Sequence, residues 1–176
     1  MREGAEARLR VWVLGALLVG ALIFVGVFFW ATQARPAQPI RFSHRLHTRD
    51  MKCAACHQYV TQGAAAGTPS LADCMDCHEG TQSKSPEGER EEAKIQAYAK
   101  AKKEIPWVRI TSLAPDTFFS HRRHVAFGRV ECATCHGEIG ATIALPSRPL
   151  VALTMTRCMD CHRERKASLD CLACHR

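Results

Sequence analysis

The chain has 176 residues, with 24 lysines and arginines against 17 aspartates and glutamates, a formal net charge of +7, and ten cysteines. Ten thiols in so short a chain would suit a disulfide framework in an exported protein, but their placement excludes one. Every cysteine belongs to one of five Cys-x-x-Cys-His pentapeptides, so none is left over to cross-link.

In chain order, residues 1–10 carry Arg2, Arg8 and Arg10 and precede 21 residues, Val11 to Ala31, without a charge. That length crosses a bilayer as a helix. The preceding arginines place the N-terminus in the cytoplasm by the positive-inside rule, with Trp12 near one interface and Phe28, Phe29 and Trp30 near the other. A cleaved signal peptide has a shorter apolar region, about 7–15 residues, ending in a small-x-small site. Thr32-Gln33-Ala34 matches such a site weakly, and the reading here is a retained anchor over 11–31. Gly15, Ala16, Gly20 and Gly26 fall mainly on one face of it, which suits packing against other membrane helices. Residues 32–38, with Pro36 and the adjoining Pro39, read as a short stiff link.

The five pentapeptides are Cys53-Ala-Ala-Cys56-His57, Cys74-Met-Asp-Cys77-His78, Cys132-Ala-Thr-Cys135-His136, Cys158-Met-Asp-Cys161-His162 and Cys171-Leu-Ala-Cys174-His175. This spacing is the attachment signature of c-type haem: two thiols three residues apart bond the two vinyl groups, and the next histidine reaches the iron. Zinc sites and thioredoxin-like pairs also use Cys-x-x-Cys. Neither needs the following histidine, and neither accounts for five of five. Five haems on the roughly 140 residues after the anchor leave about 28 residues each, too few for a conventional core. The porphyrins are then the apolar interior, wrapped in short helices and loops without sustained strand alternation. Each ferric haem with ionised propionates adds about −1, so the total is about +2 oxidised and about −3 reduced. The basic excess therefore reads as propionate neutralisation, not as a nucleic-acid footprint. Arg41, Arg45, Arg122 and Arg123, beside the non-motif histidines, are candidates for it.

A repeat emerges around these sites. Phe42-Ser43-His44-x-x-His47 leads into the first pentapeptide and Phe119-Ser120-His121-x-x-His124 into the third. Residues 39–85 thus form a dihaem module and 111–176 a trihaem module. The connector 86–110 reads as a solvated helix from Ser85 to Lys103 with no chemistry of its own. Ser85 caps it, Pro86 opens it, Glu87 and Glu89 face the positive pole, and Lys100, Lys102 and Lys103 the negative one. Pro106 ends it, and 107–110 are extended.

Five low-spin irons need ten axial ligands. The motif histidines His57, His78, His136, His162 and His175 supply five, and the chain has four other histidines, His44, His47, His121 and His124. Four irons can be bis-histidine; the fifth needs another ligand.

The paired Phe-x-His-x-x-His segments resemble the small multihaem cytochromes of the c3/c7 class. The resemblance implies that His44 serves the haem at 53–57, His47 that at 74–78, His121 that at 132–136 and His124 that at 158–162. In that class the last haem draws its ligand from just before the penultimate pentapeptide, where this chain has Met155. Met155 is thereby paired with His175, and Met51 is the next candidate; Met75 and Met159 lie inside haem loops. Histidine–methionine ligation raises the reduction potential, making the C-terminal haem the most oxidising. With every iron closed, no substrate binds at iron, and no catalytic residue is assigned.

An anchor, five haems and a doubled c3/c7-like module further resemble the pentahaem subunits of alternative complex III. That likeness implies an electron-transfer subunit relaying electrons from a menaquinol-oxidising membrane complex to a periplasmic cytochrome c or terminal oxidase. Its implied partners are an iron–sulfur subunit, integral membrane subunits and a monohaem cytochrome c subunit. The alternatives are a membrane-anchored quinol dehydrogenase of the NapC/NrfH group, which has four haems and lacks the paired histidine plan, and a multihaem reductase with an open iron.

Overall fold

The computed structural model describes residues 2–32 and 37–175, with side chains for 12–30 and 37–175. The chain divides into two units, residues 1–36 and 37–176. Most of the expected link 32–38, with the cleavage-like Gln33 and Ala34, lies outside the described residues, as do the side chains of Arg2, Arg8 and Arg10.

The first unit is one helix, α1 (Arg2–Thr32). Its stretch Trp12–Trp30 has a mean hydropathy of 2.6 and is long and apolar enough to cross a membrane. Phe24 and Phe28 stack one turn apart, with ring centres 6.5 Å apart. A Cβ added at Gly15, Gly20 or Gly26 would meet nothing within 4 Å, so this stretch is open to close approach by another helix.

The second unit is built from short helices and loops: α2 (His44–His47), α3 (Cys53–Cys56), α4 (Leu71–Met75), α5 (Pro86–Ala101), a π-helical turn (Arg122–Phe127), α6 (Cys132–His136), a 3-10 turn (Ile139–Ala141), α7 (Met155–Glu164) and α8 (Cys171–Cys174). The pairing of Thr117 with His175 is an isolated bridge. Local capping explains where the helices start. Ser70 and Asp73 form a reciprocal capping box on α4, and Ser85 accepts from Gly88 N–H at the start of α5. Thr154 and Asp170 cap α7 and α8.

The expected connector helix is present but ends at Ala101, where Lys102 turns left-handed at φ 52°. It is not fully solvated. Ile95 packs with Ile40, Leu71 and Ile105 in a cluster of buried side chains, and Glu92 is buried on the same face one turn earlier. Among the described residues Val60 is the other buried apolar one, and none from 111 to 175 is buried.

The two histidine-bearing segments clasp each other's modules. Arg45 N–H donates to Thr142 O and Thr48 Oγ1–H to Gly140 O, both at 3.0 Å, just beyond the third pentapeptide. Reciprocally, His121 N–H donates to Ala64 O and Arg122 N–H to Gly63 O, both at 3.0 Å, just beyond the first.

The loop 59–67 depends on Gly67, whose φ is +79° and whose hypothetical Cβ would lie 2.8 Å from Tyr59 Cδ2. Gly67→Ala is therefore expected to cost about 1–2 kcal/mol from the backbone alone, seen as a Tm several degrees lower by circular dichroism. An unchanged Tm contradicts this account of the loop.

Candidate haem-attachment and iron-ligand sites

One helical turn puts positions i, i+3 and i+4 on one face, so a helical Cys-x-x-Cys-His presents both thiols and the imidazole together. All five segments take this form. His57, His78 and His175 N–H donate to the carbonyl of the first cysteine of their motif at 2.8–2.9 Å, and the other two segments lie within α6 and α7.

The repeated Phe-Ser-His-x-x-His segments share one geometry. Phe42 stacks on His47 at 4.4 Å and meets His44 edge-on at 5.0 Å; Phe119 stacks on His124 at 4.5 Å and meets His121 edge-on at 4.9 Å. The phenylalanine fixes both ring planes. The serine contributes its carbonyl: His47 Nδ1–H donates to Ser43 O and His124 Nδ1–H to Ser120 O, both at 2.8 Å.

This anchoring of Nδ1 recurs. His57 donates to Gly67 O at 2.7 Å, His121 to Ala64 O at 2.8 Å and His162 to Ser168 O at 2.7 Å. His44 Nδ1 faces Thr142 Oγ1 at 3.4 Å, whose own proton goes to Ile139 O. His78 and His175 face carboxylates, Glu92 at 3.2 Å and Asp116 at 3.1 Å. A histidine that donates through Nδ1 offers Nε2 to a metal.

The rings also come in pairs. His47 and His78 have centres 6.3 Å apart, His121 and His136 6.3 Å with planes 5° from parallel, and His124 and His162 6.0 Å. A ligating nitrogen sits about 2 Å from its metal and the ring centre about 1 Å behind it, so two imidazoles on one iron place their centres about 6 Å apart. The residues fit bis-histidine haem. Burial, then His57 and His47, lower the His44 pKa; burial, then His121 and His57, lower that of His136. Both remain neutral at pH 7, the form that binds metal. Met155 opens α7 three residues ahead of Cys158 with its side chain 64% exposed.

The thiols mark which segments are neighbours. Burial, then Cys56, Asp73 and Glu104, push Cys74 up to about 11. Cys132 is raised by burial and by Cys53, with which it shares a hydrogen bond. Cys135 is raised by burial, then by Cys161 and Cys158, and Cys158 by burial, then by Cys174 and Cys161. Thiols of successive segments in the series 74–78, 53–57, 132–136, 158–162 and 171–175 therefore lie within electrostatic reach of one another.

Several supporting residues carry no motif. Thr142, Ala64, Gly67 and Ser168 act through oxygens that a sequence motif does not encode. Glu92 did leave a signal, an acid at i−3 from Ile95 on the apolar face of α5. Arg41 pairs with Glu87, and its N–H donates to Glu91.

The second segment is held by the capping box of α4. Ser70's hydroxyl first, then its N–H, and Gln58 hold Asp73 below the ordinary value of 3.8. A lowered pKa stabilises the fold above the ordinary value, and this is lost as pH falls through the folded one. Ser70→Ala is expected to cost about 1 kcal/mol at neutral pH, with a Tm deficit steady from about pH 5 to 8 and shrinking below about pH 3. A deficit that grows in acid contradicts this.

Comparison with known proteins supplies the family. The model described as "Class III cytochrome C family" matches residues 30–105, which hold two pentapeptides, and "Cytochrome c7 and related cytochrome c" matches 117–176, which hold three. The multiheme cytochrome c subunit of menaquinone reductase from Nitratidesulfovibrio vulgaris (strain Hildenborough) is 30% identical over 98% of this chain and 91% of its own length. With helices and loops around its histidines and an N-terminal helix able to span a membrane, the chain belongs to the c3/c7-like multihaem cytochromes c, electron-transfer proteins with covalently bound haem.

Proposed function

We propose that this chain is a five-haem electron conduit anchored to a quinone-linked membrane complex. Cys53/Cys56, Cys74/Cys77, Cys132/Cys135, Cys158/Cys161 and Cys171/Cys174 tether the haems. The proximal ligands are His57, His78, His136, His162 and His175, and the distal ones are His44, His47, His121, His124 and Met155 in that order. Haem c supplies reversible one-electron uptake.

The observation that carries this reading is the pairing of imidazoles at 6.0–6.3 Å, with Nδ1 of His47, His121, His124 and His162 anchored on backbone carbonyls. Such pairs occupy both faces of an iron, so the residues favour electron transfer over substrate chemistry. The lack of buried residues across 111–175 is a second support, since a segment with three attachment motifs and no core of its own suits porphyrin as its interior. The order of neighbouring segments supports a conduit with its ends at 74–78 and 171–175.

The anchor over 11–31 has its N-terminus in the cytoplasm and its haem-bearing part on the periplasmic side, as Arg2, Arg8 and Arg10 imply. The partners are an iron–sulfur subunit, integral membrane subunits and a monohaem cytochrome c subunit, with electrons passing from menaquinol to a periplasmic acceptor as in alternative complex III. A second reading rests on the relative named as a menaquinone reductase subunit, and it runs electrons the other way, into menaquinone. The detergent-solubilised complex separates them: the first reading expects a menaquinol analogue to reduce the haems, with net quinol oxidation in turnover, and the second expects net quinone reduction by a reduced periplasmic cytochrome.

Electron paramagnetic resonance of the oxidised protein is expected to show low-spin haem alone; a stoichiometric high-spin signal contradicts the ligand set. Met155→Ala is expected to lower the midpoint potential of one haem and leave four in place. Five unchanged potentials rule Met155 out as a ligand.

A further inference from the structure

The histidines of this chain do not all anchor Nδ1 in the same way. Those of His47, His57, His121, His124 and His162 face backbone carbonyls, which carry no net charge. His78 Nδ1 lies 3.2 Å from Glu92 Oε1, with the two side chains 17% and 11% exposed. The approach is off the angle of a good hydrogen bond, leaving Nδ1 a buried atom without another partner. Asp116, the carboxylate facing His175, is 64% exposed and its field is screened by water.

The Glu92 carboxylate is held in place. It accepts from Gln82 N–H at 3.0 Å and from Ser83 N–H at 2.9 and 3.1 Å, in the loop that follows His78. From the same helix, Gln96 Nε2–H donates to His78 O. Helix α5 packs on α4, which carries Cys74. The connector therefore lies over the second attachment segment with a fixed negative group aimed at its histidine.

We propose that Glu92 is a positioning residue that acts through His78 to lower the reduction potential of the haem at 74–78 below those of the other bis-histidine haems. The inference rests on the ligand reading above. A fixed negative charge beside the imidazole favours the more positive iron. Largely shielded from water, it is screened less than that of Asp116 and opposes the electron gained in the Fe(III)/Fe(II) couple. Together with a histidine–methionine pair at 171–175, this puts the lowest and highest potentials at opposite ends of the row of attachment segments.

The test is a haem-resolved redox titration of the intact detergent-solubilised protein and two sets of variants. Glu92→Gln keeps the shape and removes the charge. It is expected to favour reduction of one haem about tenfold, a rise of about 59 mV, with five haems and low-spin spectra retained. Glu92→Asp keeps the charge and is expected to shift that haem less. His47→Met identifies the haem independently, because its own wave should move up from the lowest position in the wild type. If Glu92→Gln leaves every midpoint in place while His47→Met moves the lowest wave, the proposal fails and the ligand reading stands. If His47→Met moves no wave, both fail. If Glu92→Gln does not assemble, the His47→Met titration decides: a wave other than the lowest moving overturns the proposal.

Discussion

An imidazole whose Nδ1 is held by a hydrogen bond presents its other nitrogen, Nε2, in a fixed direction. In this chain that constraint falls on a polypeptide with almost no core. Among the described residues five apolar side chains are buried, four of them in one cluster with the connector helix. Elsewhere the histidines are oriented by hydrogen bonds from Nδ1 to oxygens of short loops and by phenylalanine rings stacked on the distal pair. Each bond is worth only about 1 kcal/mol in stability. Their larger effect is on direction, since a ring that donates through Nδ1 leaves Nε2 as the nitrogen for a metal.

The repeat gives these bonds a reciprocal form. The segment carrying His44 is tied to residues beyond the third attachment site, and the segment carrying His121 to residues beyond the first. Neither module can reorient its distal histidine without disturbing the other's loop. Cys53 and Cys132 meet at the same junction. The two halves of the repeat are therefore joined where their first attachment segments are neighbours, which is what a continuous conduit requires of a doubled module.

The Cys-x-x-Cys-His motifs, the paired histidine segments and the apolar N-terminal helix were legible in the sequence because each is fixed by local spacing. One helical turn gathers the two thiols and the histidine, and the connector's cap at Ser85 and its acidic first turn follow from adjacent residues. The role of the connector was not legible. Its charged composition suggested a solvated spacer, whereas Glu92 and Ile95 turn inward, a placement decided by contacts with segments 10 to 55 residues away. The carbonyls of Ala64 and Gly67 were equally hidden, since any residue supplies a carbonyl and only the loop path aims it.

On the proposed reading every iron is closed on both faces, so that the chain passes electrons and binds no small substrate. Carbon monoxide tests it most directly, because it binds reduced haem iron only where an axial position is open. Added to the fully reduced native protein, it should leave the absorption spectrum of all five haems unchanged. Rapid formation of a carbonyl complex at even one haem, in stoichiometric amount, contradicts the account.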